Sequence, residues 1–96
     1  MDRETALGLL AKHKPHLQRE FGVSGLALFG STARDTAKED SDVDVLISFS
    51  APATSRQYFG AQFYIEDILQ FHVDLVSDKA ARKELRPFIE RDTVHV

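Results

Sequence analysis

The chain has 96 residues, 43% of them hydrophobic and 28% charged, which sets it out as a single domain over residues 1–96 with no room for a second core. It has no cysteine, excluding a disulfide framework and a thiolate metal site, and no apolar run reaches the roughly 20 residues of a membrane span or follows a signal-peptide pattern. A net charge of -3 argues against strong binding to nucleic-acid backbones, and the expectation is a cytoplasmic protein with no membrane contact.

Residues 3 to 21 predict an amphipathic helix, because Ala6, Leu9, Leu10, His13, Leu17 and Phe21 recur at spacings of three and four. Pro15 removes one helix hydrogen bond and predicts a kink, and Gly22 supplies the stop. Leu26-Ala27-Leu28-Phe29 is a continuous apolar run between glycines, as in a buried strand. A turn at Gly30-Ser31 leads into one helical turn at Thr32-Ala33-Arg34, followed by a polar loop. Val43, Val45, Ile47 and Phe49 alternate with Asp42, Asp44, Leu46 and Ser48, the period of a strand.

Ala51 to Ser55 form a linker ending in helix-capping residues, and residues 56 to 70 predict a second long helix with Phe59, Phe63, Ile65 and Leu69 near one side. Phe71 to Val76 predict a strand in which His72, Asp74 and Val76 share a face. A charged helix over 79–90 and a short edge strand over 93–96 complete the pattern. The sum is an α/β (α+β) fold, a small mixed sheet flanked by helices.

Two sequence features carry chemistry. Asp42 and Asp44, one residue apart on a strand, leave the same face, and Asp74 stands between Val73 and Leu75, where an acid is costly unless a positive charge meets it. Carboxylates converging to about 5 Å repel by roughly 3 kcal/mol at an effective dielectric of about 20, which a cation between them relieves. Oxygen-only ligands favour Mg²⁺ or Mn²⁺ over zinc. Taken singly, an Asp-x-Asp pair is ordinarily surface charge, and Asp74 reads equally as an edge-strand residue facing water. An EF-hand is excluded, because Val45 and Ala51 stand where that loop needs Gly and Glu.

The second feature is Gly30-Ser31. A glycine after a buried strand lets the backbone approach a ligand, the turn beyond it points N–H groups outward, and Ser31 adds a hydroxyl. A P-loop is excluded, since Ser31 occupies the place of its lysine. His13, His16, His72 and His95 lack ligand spacing. Tyr58, Phe59, Phe63 and Tyr64 read as core and interface residues before a base-stacking platform.

Together, Gly30-Ser31-Thr32-Ala33-Arg34, ten residues between Ser31 and Asp42, Ser41-Asp42-Val43-Asp44 and the later strand aspartate Asp74 resemble the nucleotidyltransferase superfamily of DNA polymerase beta and the kanamycin nucleotidyltransferases. The similarity is greatest to its minimal, MNT-type (MntA-like) domains, and extends from the leading helix to the ending Arg86 to Asp92. The resemblance implies a polymerase beta palm-like fold. It also implies catalytic Asp42, Asp44 and Asp74 holding two Mg²⁺ ions (or Mn²⁺), with Gly30, Ser31 and Arg34 at the phosphates of ATP. For Arg34, a surface ion pair with a nearby acid is an equal alternative. Asp35 departs from the pattern, because family members commonly place Gly there.

Such domains resemble the antitoxin half of two-gene modules, so the implied reaction is transfer of AMP from ATP to a tyrosine of a HEPN-type toxin, in a homo- or hetero-oligomer. One alternative is a non-catalytic antitoxin that binds nucleotide and neutralises its partner by complex formation. A second is a transferase for a small hydroxyl acceptor, which normally carries further substrate-binding structure.

Overall fold

Asp2 and Gly22 bracket the first helix. In the computed structural model, which describes residues 1–38, 40–79 and 93–96, helix α1 runs from Arg3 to Phe21 and Asp2 accepts a 2.7 Å hydrogen bond from the Thr5 amide, satisfying one of the first-turn donors. Gly22 ends the helix at φ +71°, and its amide bonds back to the Gln18 carbonyl. The left-handed conformation there suits a residue without Cβ. The helix is continuous through Pro15. Pro15 and Ala11, whose carbonyl loses its helical partner, are both exposed, so water can bond that carbonyl in place of the missing amide. Ala6, Leu10 and Leu17 form the buried stripe.

Strands β1 (Val23–Phe29), β2 (Val43–Phe49), β3 (Val73–Ser77) and β4 (Val94–His95) make a mixed sheet in the order β3-β2-β1-β4. The first strand starts earlier than its apolar run, because a register shift between Val23 and Gly25 interrupts the alternation. It lies antiparallel to β2 and β4 and is linked to β2 through the single turn α2 (Gly30–Ala33). Strands β2 and β3 are parallel, a pairing that requires a crossover, and α3 (Ser55–Leu69) supplies it. Thr54 starts α3 with a reciprocal cap: its hydroxyl accepts from the Gln57 amide at 3.1 Å, and Gln57 Oε1 accepts from the Thr54 amide at 2.9 Å.

Alternation along the strands sorts the residues onto two faces. One face packs against α1 and α3 through Leu28, Val45, Ile47, Val73 and Leu75, which meet Leu10, Leu17 and Ile65; each fully buried aliphatic side chain there contributes roughly 1.5–3 kcal/mol of transfer free energy. The other face holds a small apolar cluster of Ala27 and Leu46 with Phe29 and Val76, and next to it the acids.

The expected grouping on α3 needs correction. Ala61, Ile65 and Leu69 are its buried stripe, whereas Phe59 and Phe63 are 52% and 66% exposed. At about 100° per residue, positions 59 and 63 point away from 65 and 69. The helix expected over 79–90 and the segment Arg86 to Asp92 lie outside the described residues. Among the described residues, no helix is long and apolar enough to cross a membrane.

Candidate active site

Strand β1 delivers the chain to the site at Phe29, and Gly30 turns it at φ +69° into α2. Phe29 lies opposite Asp44 in the antiparallel register, so the carboxylate of Asp44 comes down on the glycine. A Cβ at residue 30 would sit 2.1 Å from Asp44 Oδ2 and 3.0 Å from its Cγ, far inside contact distance. Glycine is therefore required twice, for the left-handed backbone and for the close approach. Beyond it, the Arg34 amide bonds to the Gly30 carbonyl at 3.1 Å and the Thr36 amide to the Ser31 carbonyl at 2.9 Å, closing the turn. Thr32, wholly buried in that turn, has no hydrogen-bond partner for its hydroxyl among the described residues.

Asp42 and Asp44 share a face of β2, and Asp74 is the direct partner of Asp44 in the parallel register of β3. Phe29, Asp44 and Asp74 thus form one row across three strands, beside the apolar row Ala27, Leu46 and Val76. That setting pushes the Asp44 carboxyl up to about 6. Burial is the largest cause, followed by the charges of Asp74 and Asp42 and a hydrogen bond with Asp74, while Arg34 opposes the shift.

Asp74 itself is exposed, because β3 is an edge strand of the sheet among the described residues. Of the two readings of Asp74, the edge-strand residue facing water is the one found, and the acid is not buried: Val73 and Leu75 turn to the helices and Asp74 to solvent. Tyr58, whose hydroxyl donates to the Leu75 carbonyl, feels the same acid. Its pKa is raised first by burial and then by the Asp74 charge.

Asp42 leans towards His72, with Oδ1 at 3.3 Å from Nδ1, and His72 Nε2 lies 3.9 Å from Glu66 Oε2. Glu66 also accepts a 3.0 Å bond from the Val73 amide, and the His72 carbonyl accepts one of 2.9 Å from the Val43 amide. The spacing of His72 in the sequence gives no ligand pattern. The signal it offered was its place two residues before Asp74 on the same face.

Asp35 adopts φ +60°, a left-handed conformation that glycine takes without strain and that aspartate tolerates better than most residues. Its carboxylate is turned away from the other acids: Oδ1 accepts from the Arg3 amide at 3.2 Å, and Arg3 Nη1 donates to the Ala33 carbonyl at 3.3 Å. The acid thus serves the N-terminus of α1, where negative charge is favourable.

Among the described residues, no three acidic or imidazole groups close on one point as a ready-made metal cage. The donor set nonetheless fits a hard divalent cation. Asp44 and Asp74 share a hydrogen bond that raises the Asp44 pKa, and carboxylate oxygens suit Mg²⁺. A separate cavity of about 690 Å³ lies at the opposite end of β2 and β3, lined by Ile47 to Ser55, Tyr58, Phe59 and Ser77 to Lys79. The acids sit on the open sheet face and have no part in it.

Comparison with known proteins agrees with this layout. A nucleotidyltransferase domain family model matches residues 10–95. The protein adenylyltransferase MntA of Thermococcus cleftensis is 35% identical over 88 residues, covering 92% of this chain and 89% of that protein. A solved minimal nucleotidyltransferase superposes with a TM-score of 0.74 at 31% identity, covering 98% of this chain and 95% of the other. A chain from the structure of a tri-AMPylated Shewanella oneidensis HEPN toxin in complex with MNT antitoxin shares the fold, with a TM-score of 0.65 at 17% identity over 94% of this chain and 70% of that one. The family model reaches across nearly the whole sequence and takes in both the glycine turn and the acid row, so the protein belongs to the nucleotidyltransferase domain family and is a nucleotidyltransferase.

Proposed function

We propose that this nucleotidyltransferase moves AMP from Mg²⁺-bound ATP to a tyrosine hydroxyl on a HEPN-type toxin, acting as the antitoxin of a two-gene module. The observation that carries the reading is the register row that sets Asp44 against Gly30 on one side and Asp74 on the other. The adenylyltransferase name of the Thermococcus cleftensis relative supports the AMP donor, and the HEPN–MNT complex sharing the fold supports the partner.

In this reading the acceptor oxygen attacks the α-phosphorus, the bond to the β-phosphate breaks, and pyrophosphate leaves. The Gly30 turn and the Ser31 hydroxyl hold the terminal phosphates, with Arg34 adding positive charge at their edge. Asp42 and Asp44 would hold the two Mg²⁺ ions, and Asp74 one of them while accepting the proton of the attacking hydroxyl. When bound, divalent ions stabilise both the attacking and the leaving oxygens of such an in-line displacement. The upward shift of Asp44, caused first by burial and then by the charges of Asp74 and Asp42, fits this role, because a bound cation would offset both the desolvation and the repulsion of the charged carboxylates.

The test is incubation with labelled ATP, Mg²⁺ and the co-encoded partner. The reading expects label on the partner, lost in Asp42→Ala and moved to no other residue when the acceptor tyrosine is changed to Phe. Absence of transfer by the wild-type chain, or equal transfer by Asp42→Ala, defeats it.

The exposure of Asp74 favours a second reading. A solvated carboxylate costs little without a metal, so the acid row is tolerable in a chain that neutralises its partner by binding alone. Protection of cells by Asp74→Ala within an intact complex would favour that reading over catalysis.

A further inference from the structure

Among the described residues, the outward side of α3 takes no part in the acid site and meets the rest of the fold only where Phe59 edges onto Tyr58. After the first residue of the helix, Ser55, its exposed residues Arg56, Phe59, Phe63 and Asp67 follow one another at spacings of three, four and four, which draws a single stripe along the helix. The two phenylalanines at its centre are the large hydrophobic residues the chain leaves exposed among the described residues. Arg56 and Asp67 close its two ends, and neither side chain has an ion-pair or hydrogen-bond partner among the described residues. Two adjacent exposed aromatic rings framed by opposite charges are characteristic of a contact surface.

The order of these residues says what covers them. Phe59 and Phe63 stand two residues on either side of Ala61, and Arg56 and Asp67 stand five and six residues on either side of it. A two-fold axis on this outward side, perpendicular to the helix and level with Ala61 (which itself faces the core), therefore sets each phenylalanine against the other phenylalanine of a second copy. The same axis sets each arginine against an aspartate. The one-residue mismatch at the ends is about 1.5 Å of helix rise, within the reach of an arginine side chain. An isologous interface needs this kind of self-complementarity, in which residue i meets j and j meets i.

We propose that α3 pairs antiparallel with α3 of a second copy of this chain through Phe59 and Phe63, held in register by Arg56 and the partner's Asp67. A single helix face buries less than the roughly 1,600 Å² of a standard stable interface, so the dimer is weak and concentration-dependent. The pairing leaves the open sheet face with Asp42, Asp44 and Asp74 uncovered, since α3 packs on the opposite face.

Sedimentation equilibrium of the purified full chain, from micromolar to sub-millimolar concentration, tests this. The average mass is expected to rise from 10.8 kDa towards twice that value. Phe63→Asp is expected to abolish the rise, and Arg56→Asp or Asp67→Arg alone to weaken association about tenfold by placing like charges opposite each other. The double variant Arg56→Asp, Asp67→Arg is expected to restore it, because the swap rebuilds the pair in a homodimer. All four positions are exposed, so thermal unfolding should stay close to wild type and serve as the fold control. A mass that stays at 10.8 kDa throughout overturns the proposal, as does a double swap that fails to restore what each single change removed. A chain that is monomeric alone and loses binding to a HEPN-type protein on Phe63→Asp assigns the face to a different partner, and also overturns it.

Discussion

The two faces of the sheet are built from alternate residues of the same strands, and they do opposite work. Val43, Val45 and Ile47 on β2 are buried against the helices, while Asp42, Asp44 and Leu46 between them look the other way. On the covered face the buried side chains form one apolar cluster, with Tyr58, Gln62 and Glu66 of α3 reaching the backbone of β3, and packing decides the energy. On the open face Asp44 is placed beside two like charges and an apolar row, and the result is a carboxyl pushed up to about 6. Stability and chemistry are thus separated by a single residue step along one strand, and the lesson is that substitutions one position apart should have effects of opposite sign.

The sharpest way to break the comparison is on the covered face. Ile47→Ala opens a cavity in a fully buried position and should cost about 3 kcal/mol, measured by urea unfolding. At the hinge between the faces, Gly30→Ala should cost about 2 kcal/mol, because the added methyl meets the Asp44 carboxylate and the left-handed backbone resists it. It should also depress transfer more than stability, a difference visible by comparing initial rates with the fraction folded.

On the open face the sign reverses. The folded-state pKa of Asp44 is raised from 3.8 to about 6, so the native state holds that proton more tightly than the unfolded chain does. The associated stability is present below the unfolded value and is lost as pH rises through about 6. Asp44→Asn removes the charge that carries the penalty. Since the group is only half-buried, solvent screening reduces the effect, and the variant should gain roughly 1 kcal/mol at about pH 8 without divalent ions and nothing at about pH 3. Transfer activity should be lost at both. Paired melting curves at the two pH values check this, and an equal gain at both would show that the charge is not the cause.

The smallest effect concerns Asp35, at the rim of the open face. Asp35→Gly relieves the strained φ but loses the bond to the Arg3 amide, so the change should stay within about 0.5 kcal/mol of zero. Asp35→Ala keeps the strain and loses the bond, and should cost about 1–2 kcal/mol. Urea titration of the pair separates the carboxylate from the backbone.

Much of the covered face was legible in the sequence, because periodicity reports burial. The limits of α1 follow from its stripe and from Gly22, and β2 follows from its alternation. The start of β1 was not legible, since Ser24 and Gly25 carry no strand signal and the strand there depends on pairing with β2. The aromatic residues of α3 are ambiguous for a related reason: hydrophobicity alone does not report burial, and Phe59 and Phe63 face outward while Tyr58 and Tyr64 pack on the core.

At the site, the spacing of Asp42 and Asp44 and the glycine after an apolar run were visible as patterns. The row that joins Asp44 to Asp74 is a parallel register, which no local pattern encodes. The edge position of β3, and with it the exposure of Asp74, is likewise a property of strand order. His72 beside Asp42 is a contact between the starts of two neighbouring strands, equally invisible before the sheet is assembled.

The seat of Asp44 on Gly30 makes two distant positions into one evolutionary unit. A side chain can appear at position 30 only if the acid at 44 retreats, and an acid that retreats no longer faces Asp74. Under the mechanism proposed above, drift at either position therefore passes through an inactive intermediate, so the arrangement can be lost in one step but regained only by reversing that same step.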